Sequence, residues 1–154
     1  MKGNDKVIDV INELIADELT AIAQYIVHMG MFGNWKYKHL EHHAFKRAKD
    51  EMKHLDKLID RILFLDGTPK LQSLNKLHIG DTVDAMIEND RKAEVTAIEH
   101  YNSAIKLAEG LNDNNSAELF EDNLEEEEGH IDYLEAKQQQ IKDTGLDNFL
   151  ATQI

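Results

Sequence analysis

Four glutamates and two histidines have the residue types and spacing for joint chemistry. Each glutamate interrupts a run of apolar residues that recur every three or four positions, and these glutamates are Glu18, Glu51, Glu94 and Glu127. That recurrence is the period of an α-helix, so the four carboxylates should point into a helical core. His54 and His130 each follow one of the glutamates by three residues, which puts both members of each pair on one helix face.

Four carboxylates in one buried layer need neutralisation. An isolated buried charge is costly, and like charges nearby raise the cost further. Two divalent cations would balance the four negative charges, with two of the glutamates bridging and one histidine on each ion. This mixed set of oxygen and nitrogen donors suits iron or manganese and tolerates zinc. The sequence therefore predicts a site for a pair of metal ions.

The elements that must position these residues are long helices. The apolar stripes predict helices at about residues 5–33, 36–65, 82–109, 114–142 and 146–152 of a single domain, the last one short. Short connections make the first two long helices, and the next two, antiparallel hairpins. Between the hairpins, Gly67 to about Asp81 is long enough to run the length of a bundle. The predicted fold is all-α, a four-helix bundle with up-down-down-up topology, one long crossover and a short fifth C-terminal helix.

Composition narrows the possible functions. The chain has 154 residues, one proline and no cysteine, which excludes disulfides, thiolate metal sites and cysteine nucleophiles. Its net charge of -13 argues against nucleic acid as a partner and is compatible with attracting cations, although a solvated acidic surface also explains it. No apolar run approaches the roughly 20 residues of a membrane span, and the N-terminus does not read as a signal peptide. We expect a cytoplasmic protein with no membrane partner.

Over essentially its whole length the chain resembles the bacterioferritins, the haem-containing branch of the ferritin-like di-iron superfamily. That superfamily uses a glutamate from each of two helices and a Glu-x-x-His pair from each of two others. The matching segments include Asp50-Glu51-Met52-Lys53-His54, Arg61-Ile62-Leu63-Phe64-Leu65 and Glu127-Glu128-Gly129-His130-Ile131-Asp132. The resemblance implies iron storage and detoxification. Two iron ions per subunit would bind at a ferroxidase centre, Fe(II) would be oxidised by O2 or peroxide, and ferric mineral would be deposited inside a cage.

The same resemblance implies further partners. It implies a homo-oligomer of twenty-four subunits built from two-fold dimers, and one haem b per two subunits, bound through Met52 of each. A ferredoxin that reduces the haem is an expected electron donor. Tyr25 would lie near the centre and could donate an electron, although a core tyrosine explains it equally. Lys46 stands where the family often has a histidine that joins Asp50 in an accessory iron site on the inner wall, which argues against that site here.

Sequence pattern gives Met52 partial support. It lies on a second apolar track of its helix, with Phe45, Ala48, Leu55 and Ile59, and an additional apolar face indicates an interface. His42 and His43 are adjacent, so they diverge by about 100° and cannot share a metal well; we expect both at the surface.

Three functions stay open at this point. The first is iron storage with ferroxidase activity. The second is a di-iron peroxidase or a non-haem ferritin of the same fold. The third is a structural assembly in which the metals only neutralise the carboxylates.

Overall fold

The computed structural model describes all residues from 1 to 154 and contains only helices. The helices are α1 (Asp5–Asn34), α2 (Lys38–Phe64), α3 (Val83–Gly110), α4 (Asn114–Thr144) and α5 (Leu146–Ala151). This arrangement of four long helices and a short fifth confirms the predicted fold class. No helix combines the length and the apolar character that crossing a membrane would need.

Backbone conformation sets two limits that the apolar pattern does not show. The second helix begins at Lys38, later than predicted, because Lys36 has a φ of 68° and interrupts the helical path. The fourth helix continues to Thr144, beyond the predicted end. Gly145 then turns the chain into α5 with a φ of 81°, a conformation that glycine adopts without strain.

The two hairpins pack side by side. α1 packs on α2 and α3 on α4, while α1 also contacts α3 and α2 contacts α4. Contacts between the hairpins run in opposite residue order, since Glu18 meets Tyr101 whereas Tyr25 meets Glu94. α1 and α3 are therefore antiparallel, as the up-down-down-up topology requires.

Residues 65–82 form the crossover between α2 and α3, and polar side chains of α1 hold it. Its backbone N–H groups donate to the side chains of Asn12, Thr20, Gln24 and His28, from Lys70, Asn75, His78 and Gly80 respectively. Buried Asp90 of α3 accepts a hydrogen bond from Gln24 at 2.8 Å and lies 2.9 Å from His28. The crossover is thus an irregular segment in which these four backbone N–H groups are hydrogen-bonded to side chains of α1.

A polar layer divides the apolar core into two clusters. The first includes Ile11, Leu14, Leu58, Ile62 and Phe120, and the second includes Phe32, Leu40, Met86, Ile87 and Leu134. All six residues predicted to bind metal lie in the layer between them, with side chains almost completely buried. Packing on both sides therefore holds this layer in place.

Candidate metal centre

The four long helices bring the six predicted residues together. Their ligand atoms form two groups, in each of which every atom lies within 4.8 Å of the others. One group contains Glu18, Glu51, His54 and Glu127, and the other contains Glu51, Glu94, Glu127 and His130. Glu51 and Glu127 belong to both groups. The structure thereby identifies the two bridging candidates, which the sequence had left open.

Distances show how the bridging carboxylates are shared. Glu51 Oε2 lies 3.0 Å from His54 Nδ1, and Glu51 Oε1 lies 3.1 Å from His130 Nδ1. Glu127 does the same, with Oε1 at 3.2 Å from His54 Nδ1 and Oε2 at 2.9 Å from His130 Nδ1. The two imidazole rings are close to parallel, with centroids 6.1 Å apart. Each bridging glutamate therefore offers one oxygen to each half of the site.

The other two glutamates are terminal, because each serves one half only. Glu18 Oε1 lies 3.6 Å from His54 Nδ1, and Glu94 Oε2 lies 3.7 Å from His130 Nδ1. Each half thus contains one imidazole, one terminal carboxylate and one oxygen from each of two bridging carboxylates. This is the donor set that the sequence predicted for each ion.

Several of these atoms are buried without a hydrogen bond. Despite the short distances, no bond of acceptable geometry is made by either oxygen of Glu51, either nitrogen of His54, Oε2 of Glu127 or Nδ1 of His130. Buried polar atoms are nearly always paired, so a group of unpaired donor atoms directed at common points requires another partner. Divalent cations satisfy those of the atoms that face the middle of the layer, and mixed nitrogen and oxygen donors fit iron, whereas His54 Nε2 faces outward to Glu126.

Protons occupy the layer when no cation is bound. Burial raises the pKa of Glu18 and Glu94 well above the usual carboxyl range, and neighbouring carboxylates add to the rise. Burial lowers the pKa of His130, but contacts with Glu127, Glu51 and Glu94 outweigh it and raise that pKa to about 11. The pKa of His54 is raised by the same kind of contact. Metal binding must displace these protons, which couples affinity to pH.

The pKa of Glu127 shifts in the opposite direction to those of Glu18 and Glu94. Burial alone would raise its pKa, but the close contacts and charge attraction of His130 and His54 lower the pKa to about 2. Glu127 therefore stays ionised in the metal-free layer, and a cation can bind beside it only once His54 and His130 lose their extra protons.

Two tyrosines hold the terminal glutamates. The Tyr25 hydroxyl donates to Glu94, and the Tyr101 hydroxyl donates to Glu18. Burial and the nearby carboxylates raise the pKa of both phenols well above 10, so both remain donors at neutral pH. Sequence reasoning singled out Tyr25 and missed Tyr101. The available signal was spacing, since Tyr101 follows Glu94 by seven residues as Tyr25 follows Glu18.

Further polar residues surround the His54 half. Asn123 donates to the Tyr101 hydroxyl at 3.1 Å. Glu126 places Oε2 3.3 Å from His54 Nε2, and Lys57 lies 3.4 Å from the other oxygen of Glu126. Sequence reasoning found neither Asn123 nor Glu126. A carboxylate on the outer nitrogen of a histidine orients the ring and makes it a better metal ligand.

A cavity of about 610 Å³ connects the layer with the protein surface. It lies between α1, α3 and the crossover, and all four glutamates line it. Asp17 and His100 stand nearer its outer end, with 2.6 Å between Asp17 Oδ2 and His100 Nδ1. A small cation therefore has a path to the otherwise buried donors.

Met52 lies outside this centre. It is adjacent to Glu51, yet 55% of its side chain is exposed, together with exposed Phe45 and Ile26. Ala48, which the sequence placed on the same outward track, is buried because it packs into the second core cluster. Exposed apolar residues around Met52 fit an interface and a thioether ligand better than a core position does.

Two features of α2 outside the centre concern the adjacent histidines His42 and His43 and the carboxylate of Asp50. His42 is exposed, and His43 is half-buried, because its ring packs on Tyr133 with centroids 3.5 Å apart. Asp50 is bound by two cations, with Arg47 at 2.6 Å and Lys53 at 2.7 Å. Its carboxylate is therefore already neutralised within the chain.

Comparison with known proteins agrees with this geometry. The family model described as Ferritin-like domain matches residues 8–144. The Bacterioferritin of Mycolicibacterium paratuberculosis is 38% identical over 151 residues, which cover 98% of this chain and 95% of that protein. The Bacterioferritin of Streptomyces coelicolor is 38% identical over 154 residues, covering 100% and 92%. That of Brucella melitensis is 39% identical over 137 residues, covering 89% and 85%. The chain therefore belongs to the bacterioferritin family of ferritin-like proteins.

Proposed function

We propose that the protein stores iron and that it oxidises Fe(II) at the centre formed by Glu18, Glu51, His54, Glu94, Glu127 and His130. Membership of the bacterioferritin family supports iron storage. The observation that best supports oxidation at this centre is the pair of donor groups joined by Glu51 and Glu127, with their buried atoms unpaired. The types of donor atom at this centre, and not the fold alone, indicate this chemistry.

Fe(II) is the substrate and supplies the redox chemistry, because each ion can give up one electron. Two Fe(II) ions and two protons reduce one O2 to hydrogen peroxide, or one peroxide to two molecules of water. The chain binds the two ions side by side through Glu51 and Glu127, and fixes each with one imidazole and one terminal carboxylate. Tyr25 and Tyr101 orient the terminal carboxylates, and the two apolar clusters limit the access of water.

Removal of a bridging carboxylate tests this proposal. Glu127→Ala deprives both ions of a ligand, so the initial rate of Fe(II) oxidation should fall by about a hundredfold or more. Glu128→Ala is the matched control, because Glu128 is the next residue on α4 and is exposed. The measurement is stopped-flow absorbance at two Fe(II) per chain, with oxidant consumption recorded in parallel and circular dichroism to verify folding.

An unchanged rate in Glu127→Ala would refute the assignment of the centre. Stable binding of Fe(II) without consumption of O2 or peroxide would instead favour the structural assembly. Oxidation without retention of iron beyond two ions per chain would favour the di-iron peroxidase. The rates of Fe(II) oxidation with O2 and with peroxide, compared in the same assay, show which oxidant the centre uses more effectively.

A homo-oligomeric cage is the assembly that the family supports, and we extend the proposal to twenty-four subunits arranged as two-fold dimers. Twenty-four chains of 17.6 kDa have a mass of about 420 kDa, which sedimentation measures directly. A dimer as the largest species would contradict the cage. The cytoplasmic location stays a prediction.

Haem is the second part of the proposal. Exposed Met52, with apolar Phe45 and Ile26 around it, would supply one thioether ligand to a haem from each of two chains. A bound haem b supplies one-electron transfer, with a ferredoxin as the proposed donor.

Met52→Leu keeps the volume of the side chain and removes the thioether, so the haem spectrum should vanish while the rate of Fe(II) oxidation is unchanged. Full haem retention in Met52→Leu would show that another residue binds the haem. Wild-type protein that contains no haem after haem-replete expression would indicate a non-haem ferritin.

A further inference from the structure

A second site is suggested by an open pocket that is separate from the metal centre. The pocket has a volume of about 690 Å³ and lies between α2, α4 and the C-terminal residues Thr152 and Gln153. Its charged and titratable lining consists of Lys46, Arg47, Lys137, His39, His42 and His43, and we call it the basic pocket. No aspartate or glutamate lines it, although the chain has 30 acidic and only 17 basic residues. The pocket is therefore a local reversal of the protein's charge.

Packing holds the cations at the wall of the basic pocket. Lys137 Nζ lies 4.9 Å from the centroid of the Tyr133 ring, and that ring packs on His43. Only 12% of the Arg47 side chain is exposed, and its Nη2 binds Asp50 at 2.6 Å. Arg47 Nε is buried with no acceptor, so one donor of the guanidinium is left without a partner within the chain. Because Arg47 is already held by Asp50, it would lose little side-chain entropy on binding a ligand, whereas Lys46 is exposed.

The titration of the neighbouring rings reports the same positive environment. Burial and the charges of Arg47 and Lys137 lower the pKa of His43 to about 3, so this ring is neutral. Burial raises the pKa of Tyr133 to about 12, and its phenol therefore remains a hydrogen-bond donor at neutral pH. The wall combines cationic donors with a neutral one.

Ligand chemistry excludes a metal ion as the occupant. A cation would find no carboxylate in the basic pocket, and its three histidines do not converge on one point. The only groups of three or more metal-binding side chains within 4.8 Å are the two in the bundle core. A compact anion fits instead, because lysine and arginine bind oxyanions through charge-assisted hydrogen bonds.

We propose that the basic pocket binds an inorganic oxyanion of the phosphate class, with Lys46, Arg47 and Lys137 providing the charge and Tyr133 a neutral donor. Gly129 also lines the pocket and directly precedes His130 in α4. The anion would therefore lie against α2 and α4, two of the four helices that carry the metal centre, close to where Fe(III) would be produced. The site itself does not depend on iron oxidation.

Titration of metal-free protein with inorganic phosphate tests the proposal, using calorimetry and phosphorus NMR. Wild-type protein should bind one phosphate per chain saturably in the millimolar range or below. Lys46→Gln with Lys137→Gln should weaken binding by about tenfold or more. Lys106→Gln is the matched control for either single substitution, because it removes one charge, as each of them does, from an exposed position on α3 outside the pocket. Its affinity should match that of the wild type.

Absence of saturable binding in the wild-type protein would overturn the proposal. An equal loss in Lys106→Gln would also overturn it, since net charge alone would then explain the binding. The single variant Lys137→Gln, with folding verified by circular dichroism, gives an intermediate affinity if the site is correct. Fe(II) oxidation measured on the same samples keeps a failure of this site distinct from a failure of the metal centre.

Discussion

The hairpin α1–α2 and the hairpin α3–α4 present the metal centre with the same residues at the same spacing. Each has a glutamate followed after seven residues by a tyrosine, and a Glu-x-x-His pair on its second helix. The tyrosines cross over, since each one donates to the terminal glutamate of the other hairpin. Neither hairpin can therefore complete its own half of the site.

The surroundings of the two histidines break this approximate two-fold relation. Glu126 stands 3.3 Å from the outer nitrogen of His54. The only carboxylates within salt-bridge distance of His130 are those of the centre itself, and they face its inner nitrogen. The two ion positions are thus equivalent in their ligands and unequal in their support. The six ligands bind the metals in both halves, whereas a nearby carboxylate, Glu126, supports the histidine in only one of them.

The largest expected effect concerns properties that the two halves share, namely protonation and stability without metal. Glu18 and Glu94 have raised pKa values, so the folded protein binds more protons than the unfolded chain above the ordinary carboxyl value of 4.5. Stability must then fall as pH rises, by about 1.4 kcal/mol per pH unit for each such group. His54 and His130 contribute with the same sign from about 6.5 upwards. Denaturant unfolding at a series of pH values measures the slope.

Single substitutions show whether the halves contribute equally. Between pH 5 and 6, Glu18→Gln and Glu94→Gln should each make the fall of the unfolding free energy with pH less steep, by the amount that corresponds to about one bound proton. Glu128→Gln, at an exposed position, should leave the slope unchanged. Zn(II) should reverse the slope, because it replaces the protons. Identical curves with and without Zn(II) would contradict a buried metal layer.

A smaller effect should distinguish the two halves. Glu126→Gln removes the carboxylate beside His54, so we expect one of the two bound ions to lose about tenfold in affinity. The other ion should bind as before, because Glu126 lies beside His54 and makes no contact with His130. Calorimetric titration with Zn(II) measures both affinities, and Glu125→Gln is the exposed control on the same helix. Equal weakening of both ions would mean that Glu126 acts through overall charge.

The smallest effect should come from the tyrosines. Tyr25→Phe and Tyr101→Phe each remove one hydrogen bond from a terminal glutamate that keeps its metal bond, so the first oxidation should slow by about two- to fivefold. Stopped-flow rates measure this, with Tyr37→Phe as control, since Tyr37 makes no capping bond through its side chain. A far larger loss in Tyr25→Phe alone would identify Tyr25 as an electron donor and make the halves functionally unequal.

The fold and the six residues of the layer could be predicted because they leave a periodic trace. A glutamate within an apolar stripe conflicts with burial, and that conflict marks a site. Glu126 and Asn123 leave no such trace, because each acts on a residue of another helix and its role depends on how α2, α3 and α4 align. The same limitation applies to Ala48 and His43, whose burial depends on neighbouring helices rather than on their own.

The hydrogen bonds between α1 and the crossover have a consequence for amide exchange. Residues 65–82 contain no helix, yet the N–H groups of Lys70, Asn75, His78 and Gly80 are bound by side chains of α1. Beyond Gly67, whose own N–H donates to the backbone of α2, deuterium should therefore enter this segment unevenly, with these four slow amides separated by fast ones. Their acceptors lie on one rigid helix, so these amides should lose protection together when the segment lifts away. The crossover would then behave as a single opening unit of the native protein, with its own free energy of opening.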